Sequence, residues 1–492
     1  MSEATSRQSV TSGMIWLMLN STLSRVITFA IQILIAKFLL PEDYGIAGMT
    51  LSVAAMTSAI ACFGSEQFLL SKGKGADLWS HYFIFLGAVL SFVIYVAVLS
   101  FSILTGVGRD SIMLYLVGGL TSIPASLSVP YQVRLQLDHR FKVLATCNLL
   151  ESLGVQCFTL ALAVLQFGAS SIVIPFALIA LLRFFYLRRL ANLIMPRKFL
   201  RSEWKHVSHK AGFSFGSRIS TTIVDQIDYL LIGAISGASA AGFYYFAFRL
   251  SSQPMRILAG NFVSAMTPSL VLKESLDTGH VHYALDSAEV LACLVAPVSF
   301  FLAVAAPSLF HLLFGAKWNE SIIVFQVISV GLAFNSIGWP AESLLVSRGL
   351  LSKIFIINVI SVPIFVITIS TGAFFFGLYG AACSVALFYA LQALTISLSA
   401  FTDQPANLAR VLKCFLVPPL CGAIAFQFTG LLVLSDRGDD KTITIILFGA
   451  IGLVAYILLV RLFMPRVYGF FKKNSTQYLR RTPEKRRSRS DA

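Results

Sequence analysis

The chain is built from long apolar segments separated by short polar loops, and this pattern restricts the folds open to it. Hydrophobic residues make up 57% of the 492 residues and charged residues 12%, with a mean hydropathy of +0.79. A soluble domain has about 25% charged residues. Because about 20 apolar residues span a bilayer as a helix, the sequence predicts an all-α integral membrane protein with about 14 transmembrane helices. Short alternating strands, which a membrane β-barrel requires, are not evident.

Loop charge predicts the orientation of these helices. Lys and Arg concentrate on the cytoplasmic side of membrane proteins. With a cytoplasmic N-terminus, five basic residues fall in outward loops: Lys37, Arg109, Lys317, Arg437 and Lys441. Most of the others fall in inward loops or tails, the richest being residues 183–210 and the tail from Arg461 onward. We therefore expect an even number of spans and two cytoplasmic termini.

A weak internal repeat predicts how the helices are grouped. The segments that start at Gly13 and Gly212 share a polar-flecked span, a short turn and a Gly–aromatic or aromatic–Gly pair. Repeated halves are a common transporter plan, with the substrate site between them. The predicted parts are a cytoplasmic N-tail (1–12), an N-terminal six-helix bundle (13–190), a basic linker (191–211), a C-terminal six-helix bundle (212–399), a helix pair (400–464) and a basic cytoplasmic tail (465–492).

Four arginines lie inside the apolar segments: Arg25, Arg218, Arg249 and Arg256. A charged side chain at membrane depth costs at least about 2.5 kcal/mol and normally faces a partner or a wet cavity. Helical spacing places Arg25 on one face with Gln32, and Arg249 on one face with Gln253 and Arg256. We expect these faces to line a shared cavity, in which guanidinium groups bind phosphate or carboxylate.

Carboxylates in the same helices leave a second interpretation open. Arg218 shares a helical face with Asp225 and Asp228. These aspartates, or Glu151, Glu289 and Glu342, could pair with the arginines and hold helices together. Asp225 and Asp228 are also the candidates for coupling transport to an ion gradient.

Other function classes find little support in the sequence. It contains no P-loop, zinc-protease or nucleophile-elbow motif, which argues against an ATP-driven pump and an enzyme. The seven cysteines lack C-x-x-C spacing and are expected to pack as small apolar residues, without a metal or another cofactor. The net charge of +15 is spread from loop to loop, so nucleic-acid binding is not expected.

Six segments, taken in order, resemble Wzx-type flippases, the polysaccharide transporters of the multidrug/oligosaccharidyl-lipid/polysaccharide flippase superfamily, and above all their exopolysaccharide and colanic-acid branch. The segments are AKFLLPEDYG (Ala36 to Gly45), RLQLDHRF (Arg134 to Phe141), DYLLIG (Asp228 to Gly233), AAGFYYFAFRLSSQP (Ala240 to Pro254), LLFGAKW (Leu312 to Trp318) and Pro340 to Asn358. Asp228 and Arg249 stand on the motif positions. Ala234 departs from the pattern, since many relatives have Arg there.

The resemblance implies a flippase of the bacterial inner membrane. Its substrate would be an undecaprenyl-pyrophosphate-linked oligosaccharide for exopolysaccharide or O-antigen type synthesis, moved by alternating access with coupling to H⁺ or Na⁺. Membrane lipid, a polysaccharide polymerase and a copolymerase are the implied partners, and a monomer suffices for this plan. A peptidoglycan-precursor flippase and a multidrug antiporter of the same superfamily remain alternatives, as does a membrane polysaccharide polymerase.

Overall fold

The computed structural model describes residues 23–73, 76–104, 109–138, 140–191, 193, 204–263, 266, 277–401, 405–433 and 441–467. Within these ranges the regular structure is helical, which confirms the predicted all-α class. The helices of the first half are α1 (23–38), α2 (Pro41–Cys62), α3 (Ser65–Lys72), α4 (Ala76–Leu104), α5 (Arg109–Leu137), α6 (Phe141–Val164) and α7 (Ser170–Leu190).

The second half continues in the same manner. Its helices are α8 (Trp204–Ser236), α9 (Ala238–Met255), α10 (Asp277–Leu313), α11 (Glu320–Ile337), α12 (Trp339–Ser347), α13 (351–376), α14 (378–401), α15 (Pro405–Val433) and α16 (Lys441–Phe463). All but the short α3 and α12 correspond to the predicted spans. Within the described ranges, nine helical stretches are long and apolar enough to cross a bilayer. The protein is thus a multi-pass membrane protein.

Several boundaries differ from the sequence-based ones. The apolar runs 44–63 and 82–105 predict a loop between them, but Phe63 and Gly64 adopt left-handed conformations and α3 follows them. The apolar run 240–264 predicts one continuous span, whereas α9 gives way after Pro254 to a π-helical turn, Arg256–Gly260. A proline removes one backbone donor and clashes with the preceding turn, so a local change in hydrogen bonding is expected there.

Gly377 separates two helices that form one apolar stretch of 51 residues. Its φ of 61° is strained for residues with a side chain and easily adopted by glycine. The bend falls at the predicted start of the twelfth span. Phe374, Phe375 and Phe376, which precede it, are exposed.

Two units are distinguished by their internal contacts. The first holds the described residues as far as Gln253, together with Leu313–Val324 and Leu351–Phe388. Its organising helix is α5, which packs against α2, α4 and α7, while α2 also packs against α8. The division into bundles 13–190 and 212–399 rests on the sequence repeat and stays a prediction.

The second unit holds Pro254–Leu312, Phe325–Leu350 and the described residues from Tyr389 onward. One apolar cluster of this unit joins α10, α15 and α16, with Phe426 and Phe448 almost fully buried. Tyr456 donates from its hydroxyl to the Cys293 carbonyl over 3.0 Å. Cys293, Cys414 and Cys421 are buried free thiols in this unit, as expected of apolar packers.

Candidate functional site

Two glycines allow α2 and α9 to cross at very short range near their first turns. A Cβ atom on Gly45 would lie 1.8 Å from the Ala238 carbonyl oxygen, and one on Gly242 would lie 1.7 Å from that of Pro41. No side chain fits at such distances. The motifs LPEDYG and ASAAGFYY, recognised as repeat elements in the sequence, therefore meet backbone to backbone.

An aromatic cluster packs beside the crossing of α2 and α9. Trp318, from the short 3₁₀ turn Ala316–Trp318, is fully buried and stacks on Phe246 with ring centroids 3.9 Å apart. Tyr44 meets the indole edge to face at 5.3 Å, and the Trp318 ring nitrogen donates to the Ala36 carbonyl over 3.2 Å. This arrangement fixes α2 and α9 against the end of α1.

Lys317 reinforces the same contact. Its ammonium group donates to the carbonyl oxygens of Lys37 and Leu39 over 2.9 and 3.0 Å. The last carbonyls of a helix lack intrahelical partners and carry partial negative charge, so a cation stabilises them. Partial burial lowers the pKa of the Lys317 ammonium, an effect that the nearby Asp43 carboxylate opposes.

Arg249 of α9 contacts a tyrosine on the same helix. Its Nη1 donates to the Tyr245 hydroxyl over 2.7 Å, and its guanidinium carbon lies 5.8 Å from the Tyr245 ring centroid. A hydrogen bond to a charged group contributes about 1.5–3 kcal/mol, enough to offset the lower estimates of the burial cost. Among the described residues, no carboxylate forms an ion pair with Arg249.

Three other arginines of the described residues form ion pairs with carboxylates. Arg134 pairs with Asp77 and Asp138, Arg183 with Glu151, and Arg410 with Asp286 and Glu289. Glu151 and Glu289 thus pair with Arg183 and Arg410, and not with the four arginines singled out from the sequence. Arg249 differs from these three arginines in that it donates to a phenol.

Arg249, which is half-buried, lines a small cavity of about 10 Å³ in the first unit. Gln32 and Tyr44, each 2% exposed, line it with the buried Gln156 and Thr159. In the described part of the chain, both amide atoms of Gln32 and the Tyr44 hydroxyl have no hydrogen-bond partner. An unsatisfied buried polar group costs about 1–3 kcal/mol. The cavity has about the size of one water molecule, so it can satisfy these groups only with a single small guest.

Asp228 of α8 accepts two hydrogen bonds from neighbouring residues. The side chain is fully buried, and its two oxygens accept from the Tyr244 hydroxyl over 2.7 Å and from the Tyr229 amide over 2.9 Å. This geometry satisfies a carboxylate without a cation. These hydrogen bonds therefore give no support to the hypothesis that Asp228 cancels the charge of a nearby arginine.

The remaining candidate residues are more exposed than Gln32 and Asp228. Arg25 is half-buried on α1, Arg218 and Asp225 are exposed on α8, and Arg256 is exposed in the π-helical turn. Gln253 is half-buried on α9 and Glu342 on α12. The structure thus brings together Gln32 and Arg249, and it leaves the single cavity expected for all four arginines a prediction.

Sequence reasoning missed the tyrosines of the site. Tyr44, Tyr244 and Tyr245 lie in apolar segments, where an aromatic residue normally indicates packing. A usable signal was the one-turn spacing between Tyr245 and Arg249, which lets a phenol reach a guanidinium on the same helix face. Arg183 was also missed, because it was counted with the inward loop although α7 continues to Leu190.

Comparison with solved structures identifies the fold. The fold resembles that of the lipid II flippase MurJ in an inward closed conformation, with a TM-score of 0.73 and 16% identity over 91% of this chain and 98% of that one. It also resembles an inward-facing multidrug resistance MATE family transporter of the MOP superfamily, with a TM-score of 0.57 and 14% identity over 80% and 98% of the two chains. These likenesses establish a transporter fold.

Sequence comparison then gives the family. Residues 34–323 match the family described as polysaccharide biosynthesis protein, and since this is more than half of the chain, the protein belongs to that family. It is 21% identical over 390 residues to an uncharacterized membrane protein in the cps region of Klebsiella pneumoniae, covering 77% of this chain and 79% of the relative. The succinoglycan biosynthesis transport protein ExoT of Rhizobium meliloti (strain 1021) is 24% identical over 342 residues, 67% of each chain.

The family resemblance inferred from the sequence is therefore confirmed. The protein is a membrane transporter of polysaccharide biosynthesis rather than an enzyme.

Proposed function

We propose that the protein flips an undecaprenyl-pyrophosphate-linked oligosaccharide across the bacterial inner membrane for exopolysaccharide or O-antigen type synthesis. Membership of the polysaccharide biosynthesis family and the transporter fold support a transport role in this chemistry. The specific observation that supports this substrate is Arg249, which forms no ion pair with the described carboxylates and lines a small cavity with buried polar side chains. A lipid pyrophosphate or an acidic sugar is an anion that such a guanidinium binds well.

The transport cycle follows from the same proposal. Alternating access exposes the cationic residues first to the cytoplasmic leaflet and then to the periplasmic one, with both termini in the cytoplasm. Arg25, Arg218 and Arg256, which are less buried than the aromatic core around them, contact the pyrophosphate or acidic sugars along the path. Asp225 or Asp228 couples the cycle to H⁺ or Na⁺, and the product is passed to a polymerase and its copolymerase.

The small size of this cavity has a consequence for the cycle. At about 10 Å³ it is too small for a pyrophosphate group, so the substrate can enter it only after the helices that line it separate. Opening would expose Gln32, Tyr44 and Arg249 together.

Replacement of the arginines tests the proposal. Each of Arg25→Ala, Arg218→Ala, Arg249→Ala and Arg256→Ala is introduced singly, with Arg348→Ala, an exposed arginine after α12, as the matched control. We expect Arg249→Ala to lower polymer output at least about tenfold, the effect of losing one charged contact of about 1.4 kcal/mol. Arg249→Lys should restore little, because an ammonium lacks the planar fork.

The measurement is extracellular polysaccharide per cell at matched protein abundance in the membrane. The control variant should match the wild type within about twofold, the range of a surface substitution. Normal output from all four alanine variants would refute the proposed role of these cations.

A further inference from the structure

A second cavity of the first unit opens beside the α5–α6 turn, and we name it the α5–α6 groove. Its volume is about 440 Å³, within the range of about 300–1,000 Å³ that is usual for small-molecule sites. Residues from the end of α5, the start of α6 and α3 line it. It shares no lining residue with the cavity of Arg249.

Three carboxamide side chains provide the polar part of this lining: Gln132, Gln136 and Asn148. Behind them, Nη2 of Arg183 donates to Gln132 Oε1 over 2.9 Å and to Asn148 Oδ1 over 3.4 Å. A guanidinium has donors only, so the amide atoms that face it must be the oxygens. The N–H₂ groups of Gln132 and Asn148 are consequently directed away from Arg183 and can donate to a guest.

The groove is polar without net charge. The charge of Arg183 is cancelled by Glu151, to which its Nη1 donates. Phosphate groups prefer a charged, bidentate donor such as arginine, whereas uncharged amides suit hydroxyl and acetamido groups equally well. The lining therefore favours a neutral polar ligand over a phosphate.

Apolar side chains complete the groove. Leu70, Leu137, Phe141 and Leu144 contribute the remaining surface. A pyranose ring carries hydroxyl groups on its rim and C–H groups on its faces, so it needs amides and apolar surface side by side. The α5–α6 groove offers both in one cavity.

We propose that the α5–α6 groove binds the sugar part of the transported lipid-linked oligosaccharide, an inference that rests on the proposed function. The α5–α6 turn carries Arg140 and Lys142, and by loop charge it faces the cytoplasm, where the unflipped glycan is presented. The groove binds the glycan by hydrogen bonds and apolar contact, while the arginines of the proposed function bind the pyrophosphate. It thereby adds recognition of sugar identity to a transporter whose cationic residues recognise charge.

Binding to two probes tests the assignment. The full-length protein in lipid nanodiscs is titrated with the host's lipid-linked oligosaccharide, extracted with a tritiated sugar label, and separately with undecaprenyl pyrophosphate alone. Gln136→Leu removes an amide that Arg183 does not contact, and Leu70→Trp fills the groove from the half-exposed end of α3. Leu150→Trp, at an exposed α6 position that does not line the groove, is the matched control.

We expect both groove variants to weaken binding of the glycan-bearing lipid about tenfold and to leave undecaprenyl pyrophosphate within about twofold of the wild type. The Leu150→Trp control should bind both probes normally. Unchanged glycan binding by both groove variants would overturn the groove assignment while leaving the proposed function intact. Equal weakening for both probes would assign the groove to the carrier lipid. A wild-type protein that does not bind the glycan-bearing lipid would refute both proposals.

Discussion

At the scale of single residues, Arg249 and Asp228 are both charged groups in helices, but their surroundings differ. Arg249 donates to the Tyr245 hydroxyl and lines a small cavity, whereas the two oxygens of Asp228 each accept a hydrogen bond. Asp225, on the same helix, is exposed. Of the two aspartates considered for ion coupling, Asp228 is therefore the one whose protonation would change a buried contact, that with Tyr244.

Asp228→Asn is predicted to uncouple transport at a modest cost in stability. The amide oxygen of Asn can still accept from Tyr244, but its NH2 group cannot accept from the Tyr229 amide, a loss of about 1–3 kcal/mol, so activities are compared at matched abundance. The Asn side chain can no longer exchange a proton or hold a cation. In proteoliposomes, the wild type should be stimulated at least about tenfold by an imposed ion gradient, equivalent to about 1.4 kcal/mol. Asp228→Asn should lose this stimulation and Asp225→Asn should keep it. Equal stimulation of all three proteins would contradict a coupling role for Asp228.

The residues of the site were predictable to different degrees. Arg249 and Gln32 could be identified from the sequence, because a charged or amide group in an apolar helix is costly and therefore conspicuous. Tyr44 and Tyr245 could not, because a tyrosine is compatible with apolar packing until its hydroxyl is placed. The ion pairs of Arg183 and Arg410 depend on which helices are neighbours, which a single sequence does not specify.

At the scale of helices, the crossing of α2 and α9 depends on two glycines. Gly45→Ala or Gly242→Ala should reduce stability by at least about 1–3 kcal/mol, the usual cost of overpacking, because the clash is with backbone rather than a flexible side chain. The measurement is the melting temperature of the purified protein in detergent. Gly87→Ala is the control, since its added Cβ would lie 3.4 Å from the nearest atom, an ordinary contact. Melting temperatures that match the control would show that the crossing tolerates a larger separation.

Helix existence was easier to predict than helix breaks. Long apolar runs identified the main helices, but the interruptions at Phe63 and Gly338 involve one or two residues and leave the hydropathy unchanged. Proline positions predict only some of the helix breaks. Pro254 precedes the π-helical turn, while Pro124 and Pro130 lie inside α5 without ending it. A proline shows where hydrogen bonding must adapt, and the neighbouring helices decide how.

At the scale of the whole molecule, the predicted orientation can be tested with cysteine labelling. In a cysteine-free background, Phe375→Cys, at the exposed α13–α14 bend, should react with a membrane-impermeant maleimide in spheroplasts. Lys142→Cys, exposed after the α5–α6 turn, should react only after the membrane is disrupted. This difference follows from the low lysine and arginine content of the outward loops. The reverse pattern would place the termini outside and move the α5–α6 groove away from the cytoplasm.

The central claim is that this transporter moves a lipid-linked oligosaccharide between leaflets, and the location of that lipid measures it most directly. Spheroplasts and inverted vesicles are prepared from cells that lack the protein, and the labelled glycan is digested with a membrane-impermeant glycosidase. The account predicts that the glycan accumulates where only inverted vesicles expose it, on the cytoplasmic face, and that wild-type protein but not Arg249→Ala restores digestion in spheroplasts. Digestion in spheroplasts that lack the protein, at the same level as in wild-type spheroplasts, would contradict the claim.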